Sequence, residues 1–231
     1  MHFLQMPVEI LEKIFKDTEN LLNLSKTCCH FDELISNSPA LMDKIELKLN
    51  KYYEFFNRDD YKEFKDLTKA LLASQKPFRR VSIDGQYHSK YLKILKKNST
   101  TIQTLTIFSY EREQVMTSND LIDVLKVLAN SLTTLILDGY CSVYMCYIED
   151  NDEAAVEMPK LKSLTLHTMS FEFLQLFMKC KVTKFHVSTI VPERFSRRNI
   201  QYLVNFLSVQ VDLKVNYLMS DYGLYIFFSY L

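Results

Sequence analysis

Glycine is almost missing. Three glycines in 231 residues, Gly85, Gly139 and Gly223, stand far apart. Phosphate-cradling loops and nucleophile elbows need glycines at fixed short spacing, so neither is written here. There is no tryptophan and no net charge: Lys plus Arg and Asp plus Glu are 28 each. The balance also holds locally, with 11 basic and 13 acidic side chains in residues 1–77 and 17 and 15 beyond. Such a chain is a poor candidate for general nucleic-acid or membrane-surface binding. No apolar run approaches the roughly 18 residues of a membrane span; the nearest is "GLYIFFSYL" at the C-terminus. The five cysteines, Cys28, Cys29, Cys141, Cys146 and Cys180, show no zinc spacing, and no secretory leader precedes them. They read as reduced thiols of an intracellular protein, cytoplasmic or nuclear, with no metal and no cofactor.

What remains is a chain that is 48% hydrophobic, enough to fill a sizeable core. Three short helices are predicted first. In "MPVEILEKIF" (6–15), Pro7 suits the first helical position and Glu9 the first turn. Ile10 and Ile14 share one face and Leu11 and Phe15 a neighbouring one, and the helix fades near Asp17. Asn20 caps a second helix over "LLNLSKTCCHFDELI", with Leu21, Leu24, Cys28 and Phe31 in one stripe and Leu22 and Cys29 beside it. Ser38 and Pro39 open a third, "SPALMDKIEL". About fifty residues is near the lower limit for an independent core, so this many apolar side chains implies an outside partner.

In their order, Pro-x-Glu-Ile, Ile-Phe, Leu-Leu-x-Leu-Ser and Cys over residues 4–47 resemble the F-box family. That resemblance implies docking on a Skp-family adaptor, and through it on a cullin. It assigns the adaptor contact to Met6, Pro7, Ile10, Leu11, Ile14, Phe15, Leu21, Leu22, Leu24, Cys28 and Phe31. Departures from the pattern are Met6 for the usual leucine, Phe31 for a common tryptophan, and a short "KDTEN" joint. They bear on adaptor affinity rather than on fold.

Beyond a helical linker (51–77, with its helix over 59–75), one six-residue pattern recurs. It reads apolar, two others, apolar, other, apolar: "FRRVSI" (78–83), "IQTLTI" (102–107), "LTTLIL" (132–137), "LKSLTL" (161–166) and "VTKFHV" (182–187). Its central residues Val81, Leu105, Leu135, Leu164 and Phe185 are 24, 30, 29 and 21 apart. A sixth copy, "LKVNYL" (213–218), carries Asn216 at the centre. Alternation of this kind predicts short strands. Helices are predicted between them, over 90–98, 118–130, 170–180 and 198–208, with Ser118 and Ser170 as caps. "NST" at 98–100 and "NSL" at 130–132 predict a shared Asn-Ser helix ending.

A strand plus a helix every 20 to 30 residues resembles the leucine-rich repeats that follow many F-boxes. The expected fold is therefore α+β: a three-helix F-box (1–50) and then an irregular solenoid of five to six repeats (78–231) with a curved parallel sheet. The Asn or Cys that family places after each strand is replaced by Gln86, Tyr110, Tyr140, Met169 and Ile190. Another α/β fold is the rival, but "SIDGQYHSK" has one glycine where a dinucleotide-binding turn needs three.

In such a solenoid the alternate strand residues line the concave face. For target binding these are Arg80, Ser82, Thr104, Thr106, Phe108, Thr134, Ile136, Ser163, Thr165, His167, Lys184 and His186, flanked by Asp84, Asp138 and Ser188. A mixed, hydroxyl-rich lining suits a protein segment better than nucleic acid. "ERFSRR" (193–198) reads as a solvated loop, the alternative being a site for an acidic or phosphorylated peptide. His167, His186, Ser163 and Cys180 carry reactive groups, but nothing in the sequence orders them into a catalytic triad. The resemblance implies the substrate receptor of an SCF-type ubiquitin ligase, itself without catalysis. The alternatives are an F-box scaffold without ligase activity, or an enzyme whose N-terminus mimics the F-box.

Overall fold

The computed structural model describes residues 6–18, 21–49, 58–84, 88–109, 118–139, 155–167, 171–188, 197–210, 213–220 and 223–229. It is a mixed helix and strand protein built on an open sheet. The N-terminal helices are α1 (Val8–Lys16), α2 (Leu21–Ser25), α3 (Cys29–Asn37) and α4 (Pro39–Met42). Strand β1 (Glu46–Leu49) follows them directly.

Three local expectations are corrected here. Pro7 stands just before α1 rather than inside it: its ψ of 143° is extended, while its carbonyl accepts from Ile10 and Leu11 at 3.0 and 3.1 Å. The predicted second helix is two. Cys28 is fully extended (φ −160°, ψ 157°), and Thr27 Oγ1 donates to the Leu24 carbonyl at 2.7 Å, closing α2. Short hydroxyl side chains compete for helix carbonyls in this way. The third helix stops at Met42, because Glu46-Leu47-Lys48-Leu49 alternates with period two and buries Leu47 and Leu49. Pro39 does take the first helical position, whereas the Ser38 side chain makes no capping bond. Asn20 lies outside the described residues.

After α5 (Arg58–Ala73) come β2 (Arg80–Asp84), α6 (His88–Lys97), β3 (Thr104–Ser109), α7 (Ser118–Leu128), β4 (Thr134–Gly139) and β5 (Ser163–His167). A 3₁₀ helix (Phe171–Phe177) leads to β6 (Lys184–Ser188), and α8 (Arg197–Ser208) to β7 (Lys214–Ser220) and β8 (Gly223–Ser229). Strands β1 to β6 are parallel neighbours in chain order. All five central residues of the recurring pattern fall into one lateral row with Leu47: Leu47, Val81, Leu105, Leu135, Leu164, Phe185. Leu49, Ile83, Ile107, Leu137, Leu166 and Val187 form the next such row. Both rows are buried in one continuous cluster with the helix side chains. That cluster also takes in Leu11, Phe15, Phe31 and Ile35 of the N-terminal helices.

Strand starts are stitched by a repeated carbonyl fork. The Arg79 carbonyl accepts from Gln103 and Thr104 (2.8 and 2.9 Å), and the Gln103 carbonyl from Thr133 and Thr134 (2.8 and 2.9 Å). Thr133 in turn accepts from Lys162 and Ser163, and Lys162 from Thr183 and Lys184. Thr133 and Thr183 add their hydroxyls to the same carbonyls at 3.0 and 3.2 Å. The Asn-Ser endings prove out of step. Asn98 occupies the place of Leu128, since its carbonyl serves Ile102 as that of Leu128 serves Leu132. Asn98 is buried and donates Nδ2 to the Ile94 carbonyl at 2.9 Å, while Asn130 is exposed.

Several lysines close helix ends, a position their charge favours. Lys44 Nζ donates to the Lys16 carbonyl at the end of α1. Lys97 Nζ reaches the Leu71 (3.0 Å), Leu72 (2.7 Å) and Ser74 carbonyls at the end of α5. Lys181 Nζ reaches Val209 after α8 at 2.6 Å. Lys76 bonds Ser25 Oγ at 2.9 Å and pairs with Asp32, joining α2 and α3 to the segment before β2.

The last two connections depart from the pattern. Residues 170–180 were expected as an α-helix, yet Phe171–Phe177 is 3₁₀. This repeat is the shortest, and the larger rise of a 3₁₀ helix, about 2.0 Å per residue, spans the sheet with fewer residues. The sixth copy does form a strand, but not a parallel one. β8 lies between β6 and β7, antiparallel to both. Ser220 pairs with Gly223, so two residues join the strands, and only an antiparallel hairpin closes that tightly. The apolar C-terminal run thus enters the sheet as β8.

Candidate functional site

Helix α1 divides its apolar residues sharply. Leu11 and Phe15 are 0% and 1% exposed; Val8, Ile10 and Ile14 are 49%, 43% and 40% exposed. Phe15 meets the Phe31 ring edge to face, centroids 5.2 Å apart, which anchors α1 on α3. Of the residues assigned to an adaptor, Leu11, Phe15, Leu21 and Phe31 belong to the core and present no surface. Along α1 a 100° step per residue turns Leu11 and Phe15 inward while Ile10 and Ile14 turn out. Pro7 is exposed, and Met6, Leu24 and Cys28 are half-buried. The Leu22 side chain lies outside the described set.

Two features of this region had no place in the sequence reading. Val8 is the most exposed apolar residue of α1. With Glu12, and with His30, Glu33, Leu34, Asn37 and Ser38 across the groove, it lines an open cavity of about 330 Å³ between α1 and α3. The i, i+4 pairs Val8–Glu12 and His30–Leu34 were the available signal.

The second candidate surface is the sheet face turned away from the helices. Strand register sets three lateral rows. One runs Glu46, Arg80, Thr104, Thr134, Ser163, Lys184, and the next Lys48, Ser82, Thr106, Ile136, Thr165, His186. The third carries Phe108, Asp138 and His167. Arg80 and Lys184 are exposed, and Thr104, Thr106, Thr134, Ile136, Ser163, Thr165, His167 and His186 are half-buried. Two residues predicted for this face are corrected: Ser82 and Phe108 are buried, at 4% and 7%. A short hydroxymethyl group between longer neighbours is covered by them, and a phenyl ring gains by leaving water. Side chains of Asp84 and Ser188, the positions after each strand, residues 193–196, and Cys141 and Cys146 lie outside the described residues.

His167 and His186 meet edge to face on this surface, ring centres 5.2 Å apart and planes at 89°. Burial holds the His186 pKa below its ordinary value, and the neighbouring His167 lowers it further. Cys180 is no nucleophile. It is 1% exposed, and its thiol donates to the Val156 carbonyl at 3.4 Å. Burial pushes its pKa up to about 11; a Met158 backbone bond opposes this and the Glu157 charge adds to it. Gln210 seals the same corner: Oε1 accepts from the Val182 N–H at 3.0 Å and Nε2 donates to the Cys180 carbonyl at 2.9 Å.

A raised thiol pKa stabilises the fold while the unfolded thiol is still protonated, and that contribution disappears as pH climbs. Stability is therefore expected to fall between pH 9 and about 11, and the Cys180→Ala variant to flatten that slope in urea titrations. At neutral pH, iodoacetamide is expected to label exposed Cys29 in the native protein and to spare Cys180 until it unfolds.

Among the described residues, no group of three or more His, Cys, Asp or Glu is arranged to hold a metal ion. No described helix is long and apolar enough to cross a membrane. Compared with known proteins, the chain matches no family model, no curated protein and no solved structure.

Proposed function

We propose that this chain is an F-box protein with leucine-rich repeats, acting as the substrate-recognition subunit of an SCF-type (Skp–cullin–F-box) ubiquitin ligase. The observation that carries the reading is the division of α1. A nine-residue helix that buries Leu11 and Phe15 and leaves Val8, Ile10 and Ile14 in solvent, with exposed Pro7 just before it, presents an apolar strip to a partner. The ordered F-box-like motif supplies the partner's class, a Skp-family adaptor and through it a cullin. The stack of strand–helix units then offers the open face, with its threonines, His167, His186, Arg80 and Lys184, to a target protein. The chain performs no bond chemistry in this role. It raises the target's effective concentration beside the ubiquitin-loaded conjugating enzyme, in the cytoplasm or nucleus where those partners work.

Pull-down with the adaptor tests this. Pro7→Ala combined with Ile10→Asp is expected to abolish capture while circular dichroism stays unchanged, because both residues are exposed and neither fills the core. Undiminished capture by the double variant would sink the assignment. A complex that holds adaptor but never cullin would assign the chain to a scaffold role instead.

A further inference from the structure

The groove between α1 and α3 is not used by the proposed adaptor contact. Successive helix residues step by 100°, so Glu12 flanks buried Leu11 on one side and Ile10 flanks it on the other. The outer strip of Ile10 and Ile14 and the groove wall are therefore different faces of one helix. Across the groove stand Glu33 and Asn37, four apart on α3, with Leu34 beside them. Half-exposed Val8 and the nearly buried Leu34 supply the apolar lining. The rest is polar and unengaged. Among the described residues, no ion pair or hydrogen bond holds the side chains of Glu12, Glu33, Asn37 or Ser38. Ser38 is only 5% exposed and lines the cavity, yet its hydroxyl makes no capping bond to α4. A buried hydroxyl with no protein partner costs free energy unless water or a ligand reaches it.

We propose that this groove receives an arginine side chain from a segment of a partner protein. Glu12 on one wall and Glu33 on the other contribute two negative charges that no described cation answers. A guanidinium complements them better than an ammonium, because it is planar and carries five donors rather than three. Two carboxylates, an amide oxygen and a hydroxyl offer acceptors to such a fork. The cavity, about 330 Å³, is at the small end of the roughly 300–1,000 Å³ of ligand pockets, which suits one long side chain and not a folded element. Val8, 49% exposed, gives apolar surface to the residue beside that arginine. His30 also lines the groove, but Glu12, His30 and Glu33 are not arranged to hold a metal ion. The site does not rest on the adaptor reading, since it lies on the other flank of α1.

The probe is the peptide acetyl-Leu-Arg-Leu-amide, titrated into the isotopically labelled full chain and followed by amide NMR signals. Those of Val8, Glu12, Glu33 and Asn37 are expected to move. The same peptide with citrulline, an uncharged isostere of arginine, is expected to bind about tenfold more weakly or worse, and the lysine peptide to fall between them. Glu12→Gln combined with Glu33→Gln is expected to weaken the arginine peptide by about tenfold or more, with circular dichroism unchanged. Ile14→Ala, on the face that the adaptor reading uses, is expected to bind the peptide as the parent does, so the two readings fail separately. Equal affinity for the arginine and citrulline peptides, undiminished binding by the double glutamine variant, an equal loss in Ile14→Ala, or no movement of the α1 and α3 signals would each overturn the site. The signal map and the citrulline comparison use the unaltered protein, so they decide the matter even where a variant misfolds.

Discussion

Phe15→Ala is expected to cost about 3–5 kcal/mol of unfolding free energy, while Ile14→Ala, one residue earlier, shifts it by less than about 1 kcal/mol. Both are large apolar residues of one helix, and composition alone would rank them together. Phe15 is sealed in the core at 1% exposure and packs its ring against Phe31; Ile14 is 40% exposed. Removing the phenyl ring leaves a cavity lined by residues that relax only partly, so the transfer and cavity terms add. Removing the outer methyls of Ile14 leaves only water behind, and alanine is the better helix former. The pair also separates stability from binding. Under the proposed adaptor role, Phe15→Ala would weaken capture through loss of the helix, whereas Ile14→Ala would weaken it in a protein that is still folded. Urea denaturation followed by circular dichroism provides the check, and equal losses for the two variants would contradict the division of α1.

The second large effect lies at the middle of the sheet. Leu135→Ala is expected to cost about 3–5 kcal/mol. Leu135 is completely buried, paired in register with Leu105 on one side and Leu164 on the other. Neither flanking strand can close the gap without breaking its own register. The same variant reports on cooperativity. One buried cluster runs from Leu11 to Phe206, and β1 leads the chain from α4 straight into the sheet. The N-terminal helices and the sheet are therefore expected to unfold together, with Phe15→Ala and Leu135→Ala lowering one shared transition. Two separate transitions, each moved by only one variant, would show that the halves are independent.

Much of the sheet was legible because its signal is periodic. Val81, Leu105, Leu135, Leu164 and Phe185 were picked out by spacing, and register brings all five into one row. β1 was missed although Glu46-Leu47-Lys48-Leu49 alternates, because a strong helix start at Pro39 made Ile45 and Leu47 look like its continuation. The antiparallel end was missed for a different reason. Periodicity marks a strand but not its direction, which here depends on a two-residue link. At the candidate site, spacing identified the α1 apolar residues but not which of them point outward. That choice depends on α3 supplying Phe31 as the surface against which one face is buried. The same limit explains Ser82 and Phe108: alternation gives the side of a sheet, and neighbours decide how much water reaches it. The histidine pair was visible as two residues, but its separation needed the β5–β6 register.

The lysines that close helix ends have a consequence for covalent chemistry. An ammonium that donates to three carbonyls, as Lys97 does, must shed those bonds and a proton before it can act as a nucleophile. Lys44, Lys76 and Lys181 are held in the same way by carbonyls, a hydroxyl or a carboxylate. Acylating reagents, and any enzyme that attaches a protein tag to lysine, will find exposed Lys13, Lys69 and Lys93 first. Modification of Lys97 would then mark molecules in which the end of α5 has already come apart.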